Sequence, residues 1–134
     1  MWETLNSIEK QDKKFKNNLL VIVVVNNVKN DKPAVISNND ATYKQLVVSD
    51  YDFEFIAIDA YSSKYSLNKK YSGVGVARKI GMDYCINYSY QTSLLCSLDA
   101  DTIINPDYLD VIEKEYNKYK FQSAVVNFKH QTSE

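Results

Sequence analysis

Leu19-Leu20-Val21-Ile22-Val23-Val24-Val25, halted by Asn26-Asn27, is the stretch that decides how this chain folds. A short, bounded apolar run rich in β-branched residues reads as a buried strand of a parallel sheet. Two further runs share that character: residues 53–58 (FEFIAI), closed by Asp59, and residues 93–98 (SLLCSL), closed by Asp99. A fourth, residues 124–128 (AVVNF), lies close to the C-terminus. Helical spacing fills the gaps between them. Residues 42–48 predict a short helix entered through the capping-rich cluster Ser37-Asn38-Asn39-Asp40. Val74, Ala77, Gly81, Tyr84, Cys85 and Tyr88 fall on one helical face, and Leu109, Ile112, Tyr116 and Tyr119 on another. For the latter helix Asn105 is placed as N-cap and Pro106 as first helical residue. Residues 1–17 predict a helical extension with Trp2, Leu5 and Ile8 facing the body.

Strands that alternate with helices imply an α/β fold, a mostly parallel sheet flanked by helices in a single domain over residues 1–134. Ligands of such sheets gather at the carboxyl ends of the strands. Here those ends carry Asn26, Asp59 and Asp99.

Composition narrows the function. Sixteen Lys and Arg against seventeen Asp and Glu give a formal net charge of -1, which argues against a nucleic-acid binder driven by phosphate neutralisation. Lys13, Lys14 and Lys16 read as a solvated helix face. Cys85 and Cys96 are too few for a disulfide framework, lack zinc-ligand neighbours, and read as small buried hydrophobes in a reducing compartment. No apolar run reaches the length of a membrane span and no signal peptide opens the chain, so a cytoplasmic protein is expected; membrane association of a longer protein stays compatible with this.

The strongest chemical signal is Leu98-Asp99-Ala100-Asp101, followed by Asn105-Pro106-Asp107-Tyr108-Leu109. Two carboxylates one residue apart at a strand end suit a hard divalent cation, Mg²⁺ or Mn²⁺, completed by phosphate oxygens and waters. Such an ion acts as a Lewis acid on a departing diphosphate. Asp-x-Asp alone reads more readily as a solvated turn or a helix cap; the apolar run before it and the helix start after it shift the reading toward function. The second signal is Gly73-Val74-Gly75-Val76-Ala77-Arg78-Lys79-Ile80-Gly81. It is a poor dinucleotide fingerprint, because Arg78 takes the sixth position and a polar loop precedes it. Glycines at a helix entrance open backbone N–H groups to an anion, and Arg78 one turn inside can reach a base or a phosphate. Close packing of the glycines and a surface ion pair for Arg78 explain the segment equally well. Asp59 can accept from a pyrimidine N–H or a ribose hydroxyl, or simply form a turn.

In this order the residues resemble the N-terminal, nucleotide-sugar-binding half of family 2 glycosyltransferases with the GT-A fold, over about residues 19–126. The resemblance rests on the pairing of A-R-x-x-G with L-D-A-D. It implies a Rossmann-like sheet and transfer of a sugar, with inversion, from a nucleotide-diphosphate donor, a UDP-sugar above all, to a hydroxyl of a saccharide or lipid-linked acceptor. By resemblance Asp59 contacts the base and Arg78 the nucleotide. Asp99 lies near ribose and metal, Asp101 ligates the metal, and Asn26 meets the nucleotide more loosely. The chain departs from the family at Asp59-Ala60-Tyr61-Ser62, where Asp-Asp-Gly-Ser is frequent, at Lys79 in place of Asn, and at Asn26-Asn27. The family's acceptor-binding half and catalytic base lie beyond the matching segment, so a fragment that binds donor without turnover is expected. His130, near the end, is expected to be an exposed histidine of a frayed terminus rather than one that faces acceptor or metal. Two alternatives stay open. A nucleotidyltransferase predicts a Gly-rich loop after the first strand, where Asn26-Asn27-Val28-Lys29-Asn30 stands, and a non-catalytic receiver-like module predicts carboxylates there.

Overall fold

The computed structural model describes residues 1–127 and 129. Its order is α1 (Trp2–Glu9), α2 (Lys13–Lys16), β1 (Leu20–Asn26), α3 (Pro33–Val48), β2 (Glu54–Ala60), a 3₁₀ turn (Lys69–Tyr71), α4 (Val74–Ile86) and α5 (Tyr108–Tyr119). Strands β1 and β2 pair in parallel from Leu20 opposite Glu54 to Asn26 opposite Ala60. The expected α/β class with a parallel sheet is present, in a small form: the sheet has two strands among the described residues.

Alternation along the strands puts Val21, Val23 and Val25 with Phe55 and Ala57 on one face. That face meets the core of Leu5 and Ile8 from α1, Leu46 from α3, Phe53, Tyr61 and Ile104. Leu46 is completely buried. On the other face Val24 meets α4, where a Cβ at Gly81 would stand 3.4 Å from Val24 Cγ2. Helices thus cover both faces, as parallel strands require.

The third apolar run departs from expectation. Residues 93–98 form no ladder and are exposed except for Leu98, which is half-buried against the core. Ser-Leu-Leu-Cys-Ser-Leu has no β-branched residue, whereas β1 has five in seven positions. The pleated conformation therefore has far less local support there. The fourth run is no strand either over residues 124–127, and Val125 is 95% exposed; Phe128 lies outside the described residues.

Helix boundaries also shift. Helix α3 starts at Pro33, nine residues before the expected Thr42, because a proline fits the first helical turn, so the Ser37–Asp40 cluster lies inside it. Helix α5 starts at Tyr108, and Asn105 and Pro106 belong to the turn before it. Its early N–H of Leu109 is met by Gln11 Oε1 at 3.0 Å, so the cap comes from a distant glutamine instead of Asn105. The N-terminal extension is two helices. Trp2, Leu5 and Ile8 do face the body. Lys16 is not solvated: it is 7% exposed, with Nζ donating to Glu9 O at 2.7 Å and to Asp52 Oδ1 at 2.5 Å. Lys14 pairs with Asp110 and Glu113 of α5. Cys85 is half-buried and Cys96 exposed, so only the first approaches the expected burial. No helix is long and apolar enough to cross a membrane among the described residues.

Candidate functional site

The acidic motif occupies a turn. Thr102 N donates to Asp99 O at 3.0 Å, and Thr4 Oγ1 donates to the carbonyl of Ala100 at 2.8 Å. Leu98 before it and buried Ile104 after it root the turn in the core, leaving Asp99 and Asp101 exposed. Across from it, Arg78 Nη2 donates to Asp99 Oδ1. With the two side chains 45% and 55% exposed, such a pair contributes only ~0–1 kcal/mol to stability. Its consequence is geometric. It joins the first turns of α4 to the L-D-A-D turn, so two sequence motifs 21 residues apart meet.

Helix α4 can begin where it does because Gly73 adopts φ 110°, a conformation that side chains resist. Gly75 has open space around it, so its backbone makes no such demand. Gly81 faces Val24, two residues before the carboxyl end of β1, where a Cβ would stand at ordinary contact distance. Arg78 is one helical turn before Gly81. The face predicted for α4 holds in its middle: Ala77, Gly81, Tyr84 and Cys85 are half-buried, joined by Val76 and Ile80, while Val74 and Tyr88 are exposed.

At the strand ends the backbone is braced by amides. Asn39 Nδ2 donates to Asn26 O at 3.1 Å and to Asn27 Oδ1 at 2.9 Å. Buried Asn27 donates in turn to Val28 O at 2.9 Å and Tyr61 O at 3.2 Å. Asp59 forms a turn: its Oδ1 accepts from Tyr61 N at 3.0 Å and Ser62 N at 2.9 Å. Burial alone would raise its carboxyl, but the Ser62 N–H and hydroxyl and the Tyr61 N–H hold it below the ordinary aspartate value. Burial, together with the neighbouring Asp40, pushes the Tyr61 phenol up to about 12. Tyr61 Oη stands 3.2 Å from Asp40 Oδ1.

These two residues and Pro33, Ile36, Ser37, Ser62 and Ser63 line an open cleft of about 530 Å³ beside the Asp59 turn. Asp40 and Tyr61 are absent from the sequence-based site, since each looks like a cap or an aromatic filler until α3 is extended back to Pro33.

Among the described residues no group of three or more His, Cys, Asp or Glu is gathered for a metal ion. At the L-D-A-D turn the carboxylates are those of Asp99, which accepts from Arg78, and of Asp101. Two carboxylates are too few for an all-protein cage; a hard cation there would need phosphate oxygens and waters to complete its shell. His130 lies outside the described residues. No protein-family model, curated protein or solved structure matches this chain.

Proposed function

We propose that this chain binds a nucleotide-diphosphate sugar with Mn²⁺ or Mg²⁺, as the donor-binding portion of a glycosyltransferase similar to family 2. The observation that supports this best is the meeting of Arg78, on the helix that packs against β1, with Asp99 of the L-D-A-D turn. A fixed guanidinium fork and a carboxylate turn are the two parts needed to handle a diphosphate. Asn26 ends β1 and Asp59 is the penultimate residue of β2, and in this reading they supply acceptors for a base or ribose. In this reading Asp99 and Asp101 hold the cation, and Arg78 orients a phosphate or the base. The cation, when bound, neutralises charge on the departing diphosphate. Transfer to an acceptor hydroxyl would form the new C–O bond on the face opposite the breaking bond to the diphosphate, giving inversion, and would require a general base to take the hydroxyl proton.

Thermal unfolding with UDP-glucose, UDP-N-acetylglucosamine and GDP-mannose, each with Mn²⁺, tests the reading. A ligand that binds only the folded chain stabilises it by about 2.7 kcal/mol at roughly a hundredfold excess over Kd, several degrees for a domain of this size. Expected is a rise with at least one nucleotide sugar, strongest with a UDP-sugar, and none with the free sugar. No rise with any of them overturns the reading.

A further inference from the structure

Helix α1 carries a second stripe beside its apolar one. Thr4, Ser7 and Gln11 recur at i, i+3 and i+7, the spacing of one helical face, with Gln11 just past the helix end. They are only 6%, 3% and 3% exposed. Polar side chains buried to that degree need partners, and all three find them on the backbone of one segment. Thr4 Oγ1 donates to Ala100 O at 2.8 Å, and Ile104 N donates to Ser7 Oγ at 3.2 Å. Gln11 Nε2 donates to Asn105 O at 2.7 Å while its Oε1 accepts from Leu109 N at 3.0 Å. The contacts therefore run in register from the peptide between Asp99 and Asp101 to the first turn of α5.

We infer that Thr4, Ser7 and Gln11 are positioning residues of the donor site, holding the Asp99–Asp101 turn in the shape that receives the cation and diphosphate. The inference rests on the proposed function for the identity of the ligand, and on the geometry alone for the clamp. Residues 93–98 form no ladder with the sheet, so the acidic turn does not inherit its position from a paired strand. The bonds to α1 supply a position instead. The Thr4 bond matters most, because it fixes the carbonyl flanked by both carboxylates. Residues that orient metal-binding carboxylates change metal affinity by about 10–100-fold when removed.

Two readouts test this on the whole chain. In the unliganded protein, Ser7→Ala is expected to speed hydrogen exchange at the Ile104 amide, and Thr4→Val at the Thr102 amide, with β1 and β2 amides unchanged. Exchange at both positions equal to wild type would remove the clamp whatever the ligand. In titrations of UDP with MnCl₂, Thr4→Val is expected to bind about tenfold more weakly, and Thr4→Ser, which keeps the hydroxyl, to return to near the wild-type value. Faster exchange in Thr4→Val with wild-type affinity would make α1 a structural brace and overturn the positioning role. Absence of Mn²⁺–UDP binding in the wild type itself would instead strike the proposed function and take the positioning role with it.

Discussion

Asp59 and Tyr61 stand two residues apart, and their titrations act on stability at opposite ends of the pH scale. Asp59 has its carboxyl below the ordinary value because, against the cost of burial, Ser62 and Tyr61 donate to it. Its contribution is complete above the unfolded value of about 4 and is lost as pH falls through the lower folded value. Tyr61 is raised from 10.0 to about 12, so its contribution is complete below pH 10 and is lost as pH rises toward 12. Denaturant midpoints measured across pH check both. Asp59→Asn is expected to flatten the acid limb only and Tyr61→Phe the alkaline limb only. Unchanged limbs would mean that the two side chains sit in water and not in the turn described. Asp99, Asp101 and Arg78 announce themselves by type and spacing, and the ion pair brings two of them together. The side-chain role of Asp59 in its own loop matches the simpler of the two readings that its position allowed.

Among the elements, α4 depends on glycines that act in different ways. Gly73 holds φ 110°, so Gly73→Ala is expected to destabilise the fold by about 1–3 kcal/mol even though a Cβ there meets nothing within 4 Å. Gly81 lies inside the helix with a Cβ position at ordinary contact distance, 3.4 Å, from Val24 Cγ2. Gly81→Ala is therefore expected to stabilise by about 0.5–1 kcal/mol. Urea unfolding of the two variants reads the opposite signs directly, and a loss in both would place α4 closer to β1 than described. The β-branched run of β1 made that strand readable. The run 93–98 misled because apolar character without β-branching supports burial more than it supports a pleat. Helix starts were the other failure. Pro33 begins α3 by its fixed φ, a local rule that the cluster at residues 37–40 obscured.

On the scale of the whole molecule, long-range hydrogen bonds give the N-terminal segment its meaning. Trp2, Leu5 and Ile8 could be read as a face turned to the body, because a 3.6-residue period is written locally. The bonds of Thr4, Ser7 and Gln11 to residues 100–109 and the ion pair of Lys16 with Asp52 could not, since each joins positions far apart in the chain. The same holds for the cap that Gln11 gives to α5. A buried lysine reads from sequence as one more surface charge, and only the fold reveals the carbonyl and carboxylate that accept from it.

The most direct test of the proposed donor site is a calorimetric titration of UDP and GDP, with and without Mn²⁺, on the wild-type chain and on Asp101→Ala. Binding of UDP that weakens about tenfold or more when the ion is withdrawn, and by a similar factor in the variant, is the expected result. Equal affinity under every condition, or none at all with the ion present, would contradict a cation held at Asp99 and Asp101.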